Sequence, residues 1–142
     1  MSDVLILDVQ GRYLATLPYF ALYFAVTLVL AAAFLAVYML TTRYPEWRLI
    51  REGNNAAAIT LIGAVLGFVL PLAMVISSSV NIVDMVVWGV VAMIVQLAAY
   101  LVMRYAKPEF DEAIKSGRTA SAVVMAGLSV SIGILNAACI TY

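Results

Sequence analysis

Few side chains in this sequence could do chemistry, and the most interesting of them lie among apolar residues. Asn136 and Gln96 place amides inside long uncharged stretches. Pro71 lacks an amide hydrogen and its ring displaces the carbonyl four residues back, so the Gly67 oxygen loses its intrahelical partner and a kink is expected. Counting about 1.5 Å per residue from the inner end near Asn55 puts Gly67 about 18 Å deep, just past a bilayer midplane. A freed carbonyl and an intramembrane amide can bind an ion or a small polar solute, which makes Gly67, Pro71 and Asn136 a candidate polar site. The alternative is structural: such amides, Gln96 included, hydrogen-bond neighbouring helices.

The remaining polar residues read as helix punctuation. Asn81 followed three residues later by Asp84 matches an N-cap with an acid at the third helical position. Glu52-Gly53-Asn54-Asn55 sets an acid, a flexible turn and two amides where backbone N–H groups are free, and helix entry with capping accounts for all four. There is no histidine, which removes the commonest metal ligand and general base. The lone Cys139 excludes an internal disulfide and any multi-cysteine metal site. No nucleophile with a base and an orienting acid can be assembled, so no enzyme, cofactor or metal is expected.

The elements that hold these residues follow from composition. Of 142 residues, 65% are hydrophobic and 11% charged, far from the balance of a soluble domain. Uncharged stretches run over 13–42, 53–83, 85–103 and 119–142. Each approaches or exceeds the roughly 20 apolar residues that cross a bilayer, so four spanning helices are expected. The leader 1–12 carries Asp3 and Asp8 against Arg12 alone, and no small-residue cleavage site ends the first stretch before Thr41. The first stretch therefore reads as a helix, not a signal peptide. Eight Lys/Arg balance eight Asp/Glu, leaving no basic face for nucleic acid.

Charge orients the spans. Arg43, Arg48 and Arg51 fall between the first and second, and Arg104, Lys107, Lys115 and Arg118 between the third and fourth. Basic residues flanking a span stay in the cytoplasm, so both of these loops should be cytoplasmic and both termini extracytoplasmic. Tyr38, Tyr44, Trp47, Tyr100 and Tyr105 cluster at the inner ends, and Tyr19, Trp88 and Tyr142 toward the outer ends, as amphipathic rings prefer.

The two cytoplasmic loops repeat one motif. Arg43-Tyr44 leads to Pro45-Glu46-Trp47, and Arg104-Tyr105 to Pro108-Glu109-Phe110; both continue to Gly53 or Gly117, after which an offset of 64 matches Ala56 with Ala120, Ala58 with Ala122 and Gly63 with Gly127. A duplicated two-helix hairpin is expected, with the copies sharing one orientation and a pseudo-axis along the membrane normal. The boundaries are an N-terminal segment 1–12, repeat 1 over 13–79 and repeat 2 over 80–142. Proline at a helix start and glycine at its stop predict a short elbow helix in each loop. Trp47 with Ile50, and Phe110 with Ala113 and Ile114, share one face, so each elbow should lie in the headgroup plane with Arg51 or Lys115 turned to phosphate and water. Trp47, Arg48, Arg51, Phe110 and Lys115 are thus the candidate partner or lipid surface. Ala56, Thr60, Gly63 and Gly67 form a small-residue stripe on the second span, and Gly127 with Ser131 on the fourth; both are expected packing faces.

The run Leu49-Ile50-Arg51-Glu52-Gly53-Asn54-Asn55-Ala56-Ala57-Ala58, with Gly67-Phe68, Pro71-Leu72-Ala73 and Gly133-Ile134-Leu135-Asn136-Ala137-Ala138, resembles the YjfL-like family of small bacterial inner-membrane proteins, a domain of unknown function. The resemblance covers nearly all the chain after Leu17. It implies four helices in two repeats and a multi-pass place in the bacterial inner membrane. It supplies no activity; its members tend to occur beside membrane-stress proteins and polyamine-related enzymes.

The expected fold is therefore an all-α membrane protein of four transmembrane helices, arranged as two tandem, same-orientation hairpins with interfacial elbow helices. The leading expectation for function is a non-enzymatic module of membrane integrity or stress that recruits a cytoplasmic membrane-stress protein or senses lipid. The alternative is an oligomeric channel or transporter for an ion or small polar solute. A homo-oligomer in the lipid bilayer is expected in either case, because small-residue stripes on four short helices offer more packing surface than one chain uses.

Overall fold

The computed structural model describes the backbone of residues 2–140 and the side chains of residues 11–140. Its elements are six helices: α1 (Ser2–Thr41), α2 (Glu46–Arg51), α3 (Asn55–Ser78), α4 (Ile82–Ala106), α5 (Glu109–Lys115) and α6 (Thr119–Cys139). Four of them, α1 from Gly11 onward with α3, α4 and α6, are long and apolar enough to cross a membrane. This is the expected count, set by the need to satisfy every backbone amide internally once water is absent. α1 begins at Ser2 and continues through Pro18.

α3 and α6 form the most closely packed pair, α4 lies against both, and α1 packs on α3 and α4. Side-chain size explains the order. α3 carries Ala56, Ala57, Thr60, Gly63, Ala64 and Gly67 in its buried set, which lets a second backbone approach closely. α1 instead contributes large groups from a single face, with Leu30, Phe34 and Tyr38 buried one turn apart. Phe34 stacks on Phe68 of α3 with ring centroids 4.5 Å apart. Gly89 of α4 faces the Leu30 side chain, so this crossing also depends on a missing Cβ.

Both short helices form where expected, although each proline occupies the position just before the helix and not its first residue. The stops are glycines in the left-handed region, Gly53 at φ +84° and Gly117 at φ +78°, where a side chain is strained. Around them the amides of Glu52, Gly53 and Asn54 donate to the carbonyls of Arg48, Ile50 and Leu49; those of Ser116, Gly117 and Arg118 donate to Glu112, Ile114 and Ala113. Every donor and acceptor is displaced by 64, the offset seen in the sequence. Both elbows lie at one end of the bundle, tied by Asn54. Its Oδ1 accepts from Ala57 N at 3.0 Å to cap α3, and its Nδ2 donates to the Ile114 and Lys115 carbonyls at 2.9 and 3.2 Å.

At the opposite end Asn81 caps α4 by accepting from Asp84 N at 3.0 Å, and Asp84 Oδ2 accepts from Val80 N at 3.1 Å. Asn81 is thus the expected N-cap, and the acid at the third helical position bonds the amide one residue before it.

Candidate functional site

The elbow end contains a buried polar cluster that converges from four elements. α1 supplies Tyr38, the connection after it Tyr44, α2 its first residue Glu46, and α4 Tyr100 and Arg104, all buried. The Tyr38 and Tyr100 rings lie 4.9 Å apart. The Arg104 guanidinium donates to the Thr41 carbonyl at the end of α1, and its Nε lies 3.4 Å from Asp111 Oδ2 of α5. α1, α4 and α5 are thus joined through one cation.

Glu46 is the unusual member. It is 3% exposed, whereas Glu109, its counterpart in the second elbow, is exposed and lies 3.6 Å from Lys107 Nζ. Burial pushes the Glu46 carboxyl up from 4.5 to about 7, opposed in part by the Thr42 hydroxyl. The physical cause is loss of water around the charged form. Burial, followed by its neighbours Tyr100, Glu46 and Asp111, likewise raises the Tyr44 phenol. The Tyr38 and Tyr44 hydroxyls face each other and the Tyr100 hydroxyl faces Arg104, while Glu46 Oε1 is buried and meets no hydrogen-bond partner among the described residues. A carboxyl oxygen buried in this way is costly in the charged form.

A groove of about 630 Å³ opens on this cluster, lined by Met39, Tyr44, Pro45, Glu46, Trp47, Arg48, Arg51 and Glu52. Trp47 is half exposed, and Arg48 Nε donates to Glu52 Oε1 at 3.1 Å. The expected surface is therefore only partly assembled. Trp47, Arg48 and Arg51 share the groove, while half-buried Phe110 and exposed Lys115, 3.5 Å from Glu112, stand on the second elbow outside it. The inward face of α2 also differs from expectation: Glu46 is its buried residue and Trp47 turns outward. The second elbow follows the pattern, with Ala113 and Ile114 buried.

The intramembrane trio is used for packing. α3 passes through Pro71 as a continuous helix. A Cβ at Gly133 would meet the Gly67 oxygen, so a Cα hydrogen of Gly133 points at the carbonyl that Pro71 leaves free, a weak contact typical of close helix crossings. Asn136 turns to α4 and donates to the Ala92 carbonyl at 3.2 Å. Gln96 donates to the Ser129 carbonyl of α6 at 3.0 Å. The structural alternative holds for both amides.

Of the expected packing faces, Ala56, Thr60 and Gly63 are buried, with Gly63 directly against Ala126. Gly127 and Ser131 take no part in packing within the chain: both are exposed, and nothing lies within 4 Å of a Cβ built at Gly127. α6 instead buries Ala122, Ser129, Gly133 and Asn136, rotated from the stripe that the repeat offset suggested. The residues that sequence reasoning missed are Glu46, Arg104 and Gly133. An acid and a base conserved between the two loop motifs looked like solvated flanking charges, and only the unequal packing of the loops separates buried Glu46 from exposed Glu109.

Comparison with known proteins gives a consistent family. The family model described as Domain of Unknown Function (DUF350) matches residues 12–140. The inner membrane protein YjfL of Escherichia coli (strain K12) is 34% identical over 123 residues, covering 87% of this chain and 93% of that protein. The transmembrane protein YshE of Bacillus subtilis (strain 168) is 30% identical over 120 residues, covering 83% and 90%. No solved structure matches.

Proposed function

This chain belongs to the DUF350 family of multi-pass inner membrane proteins, and from that premise we propose that it is a non-enzymatic module of membrane integrity whose first elbow senses anionic lipid or recruits a cytoplasmic membrane-stress protein. The observation that supports this most is the groove beside α2, where a half-exposed indole stands with two guanidinium groups. Arginine matches phosphate oxygens in paired geometry, and tryptophan settles at the headgroup level. Seven of the eight basic residues belong to the elbow end, which favours a cytoplasmic position for both elbows and an extracytoplasmic one for both termini. The hydrogen bonds repeated at an offset of 64 support the tandem hairpin.

Self-association belongs to the same proposal, because α6 leaves Gly127 and Ser131 uncovered. A conduit is less favoured, since Gln96 and Asn136 are engaged with the Ser129 and Ala92 carbonyls.

The test is a variant with Arg48, Arg51 and Lys115 changed to Glu, inserted in cells and in vesicles containing phosphatidylglycerol. Enrichment of the anionic lipid around the protein and resistance to envelope stress should both fall while all four spans insert. If both stay at the level of the unaltered protein, the proposed role is wrong.

A further inference from the structure

The groove that exposes Trp47 and the arginines has Glu46 in its wall, and the state of that carboxyl bears on whether α2 stays seated. We propose that Glu46 is a proton-binding site, and that its ionisation releases the first elbow from the ends of α1 and α4. The released elbow's target rests on the function proposed above; the proton site does not.

The geometry that carries this is the set of groups facing Glu46. Tyr38 faces it from the end of α1, Thr42 and Tyr44 from the connection and Tyr100 from α4, with Arg104 and Asp111 next to Tyr100 and with Arg48, Arg51 and Glu52 of its own elbow sharing the groove. Arg104 is engaged by Asp111 and the Thr41 carbonyl, Arg48 by Glu52, Arg51 is exposed to solvent, and Glu46 Oε1 receives no hydrogen bond among the described residues. A neutral carboxyl fits such a place, because it needs no counter-charge. A carboxylate there lacks both water and a counter-charge. On ionisation the neutral carboxyl gives its proton to water in the groove, and the carboxylate's nearest relief is to move outward into that water.

The backbone permits that movement. α2 has six residues, is joined to α1 through non-helical residues 42–45, and is stopped by left-handed Gly53. Its outer face is exposed. The second elbow lacks the device, since exposed Glu109 already has Lys107 as a counter-charge. The carboxyl's raised value of about 7 places the transition near neutrality.

The experiment uses the full chain in phosphatidylcholine vesicles with Trp88→Phe, which leaves Trp47 as the one tryptophan. Infrared difference spectra between pH 5.5 and 8.5, with and without Glu46→Gln, report the carboxyl itself, and iodide quenching reports Trp47. Expected are a protonated-carboxyl band that titrates near pH 7 and is absent from Glu46→Gln, and a quenching constant that rises at least twofold over the same range. Glu46→Gln should hold quenching at its low-pH level, whereas Glu109→Gln should leave the transition in place. A carboxyl titrating in the ordinary range near 4, or a quenching transition that persists in Glu46→Gln, would overturn the proposal. A titrating band with constant quenching removes the release step. Adding phosphatidylglycerol separates the two proposals: release with no anionic-lipid dependence leaves the proton site standing and counts against the lipid-sensing role.

Discussion

At the scale of single residues, stability is concentrated where side chains are smallest. A methyl at Gly67 or Gly133 would run into the opposite backbone, and neither Ser129 nor Gly67 can move a main chain without moving its helix. Overpacking of this kind costs about 1–3 kcal/mol. We expect Gly133→Ala and Gly67→Ala to lose at least that much in reversible unfolding from detergent, while Gly127→Ala, with open space around it, stays within about 0.5 kcal/mol. Equal losses at all three positions would contradict the packing. Asn136→Leu and Gln96→Leu should each cost about 1 kcal/mol, the scale of one interhelical hydrogen bond in lipid. Glu46 gives stability a pH dependence of known sign. Its folded-state value lies above the ordinary 4.5 at about 7, so the folded protein holds this proton more tightly than the unfolded chain does. Its contribution is most favourable below pH 4.5, falls between 4.5 and 7, and is level above that. Unfolding midpoints across pH 4–8 should therefore decline more steeply than those of Glu46→Gln.

At the scale of elements, the two elbows share a backbone and differ in what they bury. Their amides make the same bonds at a fixed offset, because Pro at the entry and Gly at the exit dictate a short helix whatever lies between. Residues in between set the docking: Glu46 and half-buried Leu49 and Ile50 in α2, Ala113 and Ile114 in α5. Asn54 couples the elbows by capping α3 while donating to two carbonyls at the end of α5. Asn81 serves only its own helix. Asn54→Ala should consequently cost about 2 kcal/mol against about 1 for Asn81→Ala, since a cap alone is worth about 1. Hydrogen exchange should show the difference at Ser116 and Gly117, which Asn54→Ala would expose and Asn81→Ala would leave protected.

At the scale of the whole molecule, α3 is the axis of the bundle and α1 its outermost member, with 11% of α1's most apolar stretch buried against 50% of α3's. The four spans place Cys139 at the end of α6, remote from both elbows, and its side chain is exposed. It is the one cysteine of the chain, so it reports sidedness without engineering. A membrane-impermeant thiol reagent should label it from the extracytoplasmic side of intact spheroplasts, while a cysteine introduced at Arg51 in a Cys139→Ser background should react only after lysis. The reverse pattern would invert the topology that the basic residues support.

The sequence by itself determined the number of spans, the caps at Asn54 and Asn81, the elbow helices and the family. These are local properties, set by hydropathy over a span length, by a side-chain oxygen three residues before an amide, or by the φ that only glycine adopts without strain. Tertiary structure alone decided which face of each helix turns inward. The offset of 64 pointed to Gly127 and Ser131 as a packing face, whereas within the chain it is Gly133 that meets the Gly67 carbonyl. It also decided that of two matched acids Glu46 is enclosed and Glu109 is not. Helix rotation depends on the summed fit of side chains from several elements, and a duplicated motif fixes the chemistry of each copy without fixing its neighbours.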